Sequence, residues 1–153
     1  WLQEALSRNQ RKVAPPKIEG QHLASFQRGE KLYMGRAACI GCHGGDGSGL
    51  DNLGPPLDGS DWVTGSTIRL TKVLLHGLQG PITVSGKRYA PPGAMPGLSM
   101  NPTISDQDIA DILTFIRHAW SNRATPVVQS FVKESRESNK DQRGVPYKEK
   151  DLN

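Results

Sequence analysis

The most regular hydrophobic pattern in the chain is SDQDIADILTFIRHAW, residues 105–120, where Ile109, Ile112, Leu113 and Ile116 recur at three- and four-residue steps. That spacing predicts a long helix with one apolar face, begun by Ser105 or Asp106 and carrying Asp106, Asp108 and Asp111 near its positive end. A second helix is expected over STIRLTKVLLHG, with Ile68, Leu75, Val73 and Leu74 facing inward and Gly77 as its stop. A third runs through FQRGEKLYMGRA, capped by Ser25, with Phe26, Gly29 and Tyr33 on one stripe. WLQEAL reads as a short amphipathic helical fragment, and NQRKVAPPKIEGQ after it as a polar linker. Between the helices, residues 41–66 are turn-like, ITVSGKRY reads as a small hairpin turning at Ser85 and Gly86, and APPGAMPGLSMNPT is a proline-rich loop. Beyond Asn122 the tail is charged and almost aperiodic, so it either wraps the rest or is disordered.

Composition shows how little this pattern has to bury. The chain of 153 residues is 35% apolar and 6% aromatic, against 17 glycines and 11 prolines. One domain with so thin a core needs a staple, a metal or a cofactor. A net charge of +4 is modest, and the basic residues are scattered without interleaved aromatics, so nucleic acid is not expected as a partner. No apolar run approaches the ~20 residues of a membrane span. The opening WLQEALSRNQ resembles neither a signal peptide nor an initiator methionine, so we read the chain as a processed protein or a domain cut from a longer one.

The chain has two cysteines, and both lie in CIGCHGGDGSG, residues 39–49. C-x-x-C-H is the attachment pattern for c-type haem: two thiols add to two vinyl groups and the adjoining histidine reaches the iron. Cys39 and Cys42 would hold the haem, with His43 on the metal. A zinc site is one rival, but it lacks a second pair of cysteines. A redox dithiol is the other, but it belongs at the start of a helix after a strand, whereas here a helix precedes and glycines follow. A haem held by one histidine needs a sixth ligand or an open position. Met95, in the proline-bordered GAMPG, is the candidate, and Met100 and His76 are its competitors. Met34 is expected in the core.

From about Gly29 to Trp120 the order of motifs resembles the class I cytochrome c family: a helix, CIGCHG, LGPPLDG, a middle helix, a methionine on an MPG loop and a terminal helix ending DILTFIRHAW. The resemblance implies an all-α cytochrome c fold, three to five helices around one covalently bound haem c, here with a small hairpin inserted. It places the domain at residues 25–122, with an N-terminal extension or linker over 1–24 and a charged C-terminal extension over 123–153. It also implies that Gly29 and Tyr33 cross the last helix near Ile112 and Phe115, and that the Pro55 carbonyl accepts the ring N–H of His43. By the same likeness the Trp62 indole N–H meets a haem propionate, while Arg69 and Lys72 are cations able to neutralise propionates. The insert GPITVSGKRYAPPGA is expected to lie over the haem edge. Similar inserts and trailing segments occur in cytochrome domains fused to quinoprotein and sugar dehydrogenases.

Electron transfer with His43/Met95 ligation is therefore the leading expectation, with no catalytic residues of its own. The alternatives are a haem enzyme or ligand sensor with open or bis-His iron, and a non-haem C-x-x-C module. His76 and His118 are otherwise explained by the negative end of their helices, and His22 has no role in the linker. A redox protein or an attached dehydrogenase domain is the expected partner. Because haem is attached outside the cytoplasm in bacteria, a periplasmic or otherwise exported location is expected.

Overall fold

A computed structural model describes residues 17–153; the helical fragment expected at WLQEAL, and most of the linker after it, lie outside them. Helix α1 spans Gly20–Met34, α2 Ile40–His43, α3 Asp61–Thr64, α4 Thr67–His76, α5 Asp106–His118 and α6 Gln129–Ser138. Four short strands, β1 Gly77–Leu78, β2 Ile82–Val84, β3 Lys87–Tyr89 and β4 Met95–Pro96, form two antiparallel pairs between α4 and α5.

The crossing of α1 and α5 organises the molecule. A Cβ on Gly29 would overlap the Asp111 carbonyl and lie 2.8 Å from the Phe115 Cβ, so only glycine lets these backbones come so close. Glycine inside a helix costs up to ~1 kcal/mol of propensity, which the close packing offsets. Tyr33 and Phe26 stack against Phe115 with ring centroids 5.3 and 5.1 Å apart. Helix α1 starts six residues earlier than the Ser25 cap predicts. Ser25 is buried within it, and its hydroxyl donates to Asp111 Oδ1 at 2.6 Å, a long-range partner that displaces the capping role. The start at Gly20 also places His22 on the helix. Asp111 is itself 1% exposed, and it accepts further bonds from Arg28 and Gln107.

Helix α5 begins as expected: Ser105 accepts from the Asp108 amide, and Asp108 accepts from the Ser105 amide. Ile109, Ile112, Leu113 and Ile116 are all buried. Ser66 caps α4, and Gly77 ends it at φ 90°. Ile68 departs from expectation, being 60% exposed. The inward face of α4 is Leu70, Leu74 and Leu75 toward the main core and Val73 toward a second cluster with Trp62, Ile82 and Val84, and Ile68 in the first turn belongs to neither. Met34, expected in the core, is 43% exposed on the last turn of α1.

The hairpin turns at Ser85 and Gly86, both with positive φ, as a two-residue turn between right-twisted strands requires. Strand β1 pairs with β4, Gly77 opposite Pro96 and Leu78 opposite Met95. The tail wraps the domain. Val132 of α6 is fully buried, Tyr147 bridges to Leu78 in parallel, and Leu152 packs on the hairpin cluster.

Candidate functional site

After α1 the chain reverses through Ala38, at φ 54°, into the single turn that carries Cys39, Cys42 and His43. The Tyr33 hydroxyl donates to the Gly44 carbonyl at 2.6 Å and ties this turn to α1. His43 is buried, and its Nδ1–H donates to the Pro55 carbonyl at 2.8 Å. Burial lowers the His43 pKa, opposed by the Pro55 bond, so the ring is neutral with Nε2 free to act as a donor to a metal. Gly54 has a role that the sequence did not announce. A Cβ there would sit 2.8 Å from the Cys42 carbonyl and 3.0 Å from the His43 Cε1, so glycine lets the Pro55 loop close on the ring. The sign of it was the LGPP motif itself, whose glycine needs a reason.

Both thiols and His43 line one cavity of about 250 Å³, together with Met95. Its walls are overwhelmingly apolar, with Leu70 and Leu74 of α4, Ile112 and Ile116 of α5, and Ile82 and Val84 of the hairpin insert among them. Cys39 is half-buried and its pKa is pushed up to about 11 by burial. Cys42 and Leu53, also on the lining, are exposed, so the cavity reaches the surface beside them.

The other expected site residues divide. Among the three methionines only Met95 lines the cavity; Met100 is 72% exposed and Met34 faces solvent. His76 is buried but off the cavity, with Nδ1 accepting from the Gly144 amide at 2.9 Å. His118 Nδ1 lies 3.3 Å from the Ala124 carbonyl. Trp62 lines the cavity, but its indole N–H donates to the Thr83 carbonyl at 2.8 Å. The hairpin insert brings this backbone acceptor to the indole. Arg69 lies 3.9 Å over the Trp62 ring, and its buried Nε has no hydrogen-bond partner among the described residues.

The residues present fit a haem c. An apolar cavity supplies the wall that a macrocycle needs, two thiols and a neutral imidazole stand on it in C-x-x-C-H order, and the Arg69 guanidinium, stacked on the Trp62 ring of that wall, has a buried N–H that no acceptor among the described residues meets. Fold and site together define a c-type haem protein. The cytochrome c family model matches residues 26–120, and the chain belongs to that family. Haem-based electron transfer and covalently bound haem c come with that membership. It is 40% identical over 92 residues to the cytochrome c subunit of a quinone alcohol dehydrogenase from Gluconacetobacter polyoxogenes, covering 59% of this chain and 18% of that protein. The counterpart from Gluconobacter oxydans is 36% identical over 117 residues, 73% of this chain and 23% of its own length. Cytochrome c-552 of Thermus thermophilus is 37% identical over 98 residues, 61% of this chain and 69% of that protein. The chain thus spans about a fifth of the dehydrogenase subunits it matches.

Proposed function

We propose that this chain is a non-catalytic electron-transfer domain whose haem iron takes His43 and Met95 as axial ligands. The observation that carries the assignment is the cavity wall. It holds His43, with Nδ1 already committed to Pro55, and Met95, while Met100, Met34 and His76 lie elsewhere. When bound, haem c supplies a one-electron Fe(III)/Fe(II) couple. Met95 and His43 together would hold that iron, and a thioether ligand would raise the potential of the couple.

The protein's own residues do the rest. Cys39 and Cys42 would hold the haem covalently, Pro55 fixes the His43 ring and would strengthen its donation, and β1 holds the Met95 strand. Trp62 provides an apolar wall and a platform for Arg69; Arg69 and Lys72, both on α4, are the cations that would neutralise haem carboxylates. Cys42 and Leu53 mark the edge through which electrons leave. The names of the relatives support a partner of the quinone-dependent dehydrogenase class, and covalent attachment supports a periplasmic or exported location.

An optical spectrum of the oxidised and reduced protein tests this reading. Expected are c-type bands with a far-red sulfur-to-iron band in the oxidised form. Haem bands without the far-red band, or carbon monoxide binding on reduction, overturn the Met95 assignment. Absence of haem after expression in a host able to attach it overturns the function.

A further inference from the structure

The strand that carries Met95 is short: it pairs with β1, and just beyond it the Leu98 and Ser99 amides donate to the Leu74 and Leu75 carbonyls of α4, each at 2.8 Å. The C-terminal tail braces the same place from outside. Leu78 pairs with Met95 on one side and bridges Tyr147 of the C-terminal tail on the other. The tail is bound there by two backbone bonds, Gln79 N–H to the Tyr147 carbonyl at 2.8 Å and Tyr147 N–H to the Gly77 carbonyl at 3.0 Å. His76 lies immediately before this strand. Its Nδ1 accepts from the Gly144 amide at 2.9 Å and stands 3.4 Å from the hydroxyl of Ser99, four residues beyond Met95. The Tyr147 ring meets the imidazole edge-on, with centroids 5.9 Å apart. One side chain thus touches both the methionine loop and the tail.

We infer that His76 is a positioning residue for the Met95 strand: its imidazole acceptor locks the tail around residues 144–147 against β1, and so holds the loop of residues 95–99 over the cavity. The inference rests on the Met95 reading for its functional meaning, but the lock itself is independent of iron. It requires a neutral ring, because Nδ1 has to offer a lone pair to the Gly144 N–H. The surroundings keep it neutral. Helix α6 presents the Arg136 guanidinium, which donates to the Ser99 carbonyl and pairs with Asp106 of α5. Burial and the Arg136 charge both lower the His76 pKa. The tail contributes Tyr147, whose phenol is pushed up by burial, and the methionine loop contributes the uncharged Ser99. The carboxylate nearest in this network, Asp106, is already committed to Arg136. Nε2 is buried without a partner among the described residues, so no bond there competes for the ring.

Two substitutions separate the acceptor from the ring. His76→Phe keeps the ring and its Tyr147 contact but removes the acceptor. His76→Asn keeps an acceptor at the Nδ1 position and cannot titrate. Hydrogen exchange of the holoprotein is measured at the amides of Gly144, Tyr147, Gln79, Leu98 and Ser99, alongside the far-red band from pH 7 downward. His76→Phe should exchange about tenfold faster at these amides, the factor that loss of one ordinary hydrogen bond sets, and should weaken the far-red band. The wild type should lose protection on acidification, as protonation takes the Nδ1 lone pair, and His76→Asn should keep both the protection and the band without that loss. Equal protection in wild type and His76→Phe, or acid sensitivity retained in His76→Asn, overturns the lock. If His76→Phe does not fold, the comparison of wild type with His76→Asn across pH decides the question. A wild type without the far-red band overturns Met95 as ligand, and the exchange data then decide the lock on their own.

Discussion

The Nδ1–H of His43 donates to the carbonyl of Pro55 at 2.8 Å, across twelve residues of glycine-rich chain. The carbonyl belongs to the backbone, so any residue at 55 keeps an acceptor, and proline contributes only by restricting the chain that presents it. Pro55→Ala should therefore leave haem attachment and the far-red band intact and shift the reduction potential only slightly. Gly54→Val is the severe change, because its side chain enters the space of the Cys42 carbonyl and the His43 ring. Potentiometry of the two variants checks this. A larger shift for Pro55→Ala than for Gly54→Val would show that steric closure is not what sets the bond.

Met95 and Met100 are five residues apart, yet one lines the cavity and the other is 72% exposed. Met95→Ala should retain covalent haem, lose the far-red band, bind carbon monoxide when reduced, and lower the potential. Met100→Ala should match the wild type in all four. The reverse pattern in spectra of the two proteins would move the sixth ligand to Met100.

Asp111 joins α1 and α5 from a position 1% exposed, accepting from Ser25, Arg28 and Gln107 at 2.6 to 3.0 Å. Asp111→Ala strands a buried serine hydroxyl and should cost about 3 kcal/mol, whereas Arg28→Ala, which removes a side chain 52% exposed, should cost about 1 kcal/mol. Gly29→Ala should cost at least about 3 kcal/mol, because the added Cβ runs into the α5 backbone. Gly45→Ala, whose Cβ would find only an ordinary 3.6 Å contact with Ile40, is the comparison and should change little. Urea unfolding of the four variants ranks them, and a Gly29→Ala protein as stable as Gly45→Ala would refute the crossing argument.

What could be read in the sequence was whatever local chemistry dictates. The Ser105 cap, the α5 face, the Gly77 stop and the Ser85–Gly86 turn depend on near neighbours, and all stand as read. Ser25 was misread because its partner, Asp111, is 86 residues away, and no local signal tells a cap from a buried hydroxyl. The Thr83 acceptor of the Trp62 indole is 21 residues away on the inserted hairpin, equally beyond any local signal. Whether the tail wraps or is disordered is not legible locally, because α6 buries only Val132 and the rest is held by side chains and by the backbone bridge at Tyr147 to a strand far away in sequence. The C-x-x-C-H turn was legible because covalent chemistry fixes its spacing.

The tail's hold on the hairpin gives a further test. Glu149 accepts from the Thr83 amide at 2.7 Å and pairs with Arg88, and Leu152 packs on the cluster of Trp62, Val73, Ile82 and Val84. Ending the chain after Gln142 should leave helical content unchanged and make Lys87 and Arg88 early sites of trypsin cleavage, since an isolated two-stranded hairpin is marginal in water. Unchanged resistance at these two bonds would mean that Trp62 and the cavity side alone hold the insert.

Arg117 is 3% exposed, and among the described residues no carboxylate pairs with it. Its guanidinium instead donates to the carbonyls of Val63, Gly65 and Thr125 and to the Thr125 hydroxyl, at 2.8 to 3.2 Å. Burial lowers its pKa, but a guanidinium starts so high that it stays charged, and the carbonyl dipoles stand where a counter-ion would. The side chain therefore ties α3, α5 and the start of the tail together behind the wall formed by Trp62 and Val63. Arg117→Met should leave these carbonyls unsatisfied and cost about 3 kcal/mol, while Arg117→Lys, still cationic but unable to fork, should cost about half as much. Because Arg117 is not on the cavity lining, the reduction potential should stay near the wild-type value in both. Chemical denaturation and potentiometry on the same samples separate the two effects. A destabilised protein with an unchanged potential supports a purely structural tie, and a potential that moves with stability would show that the α3 wall reports directly to the haem.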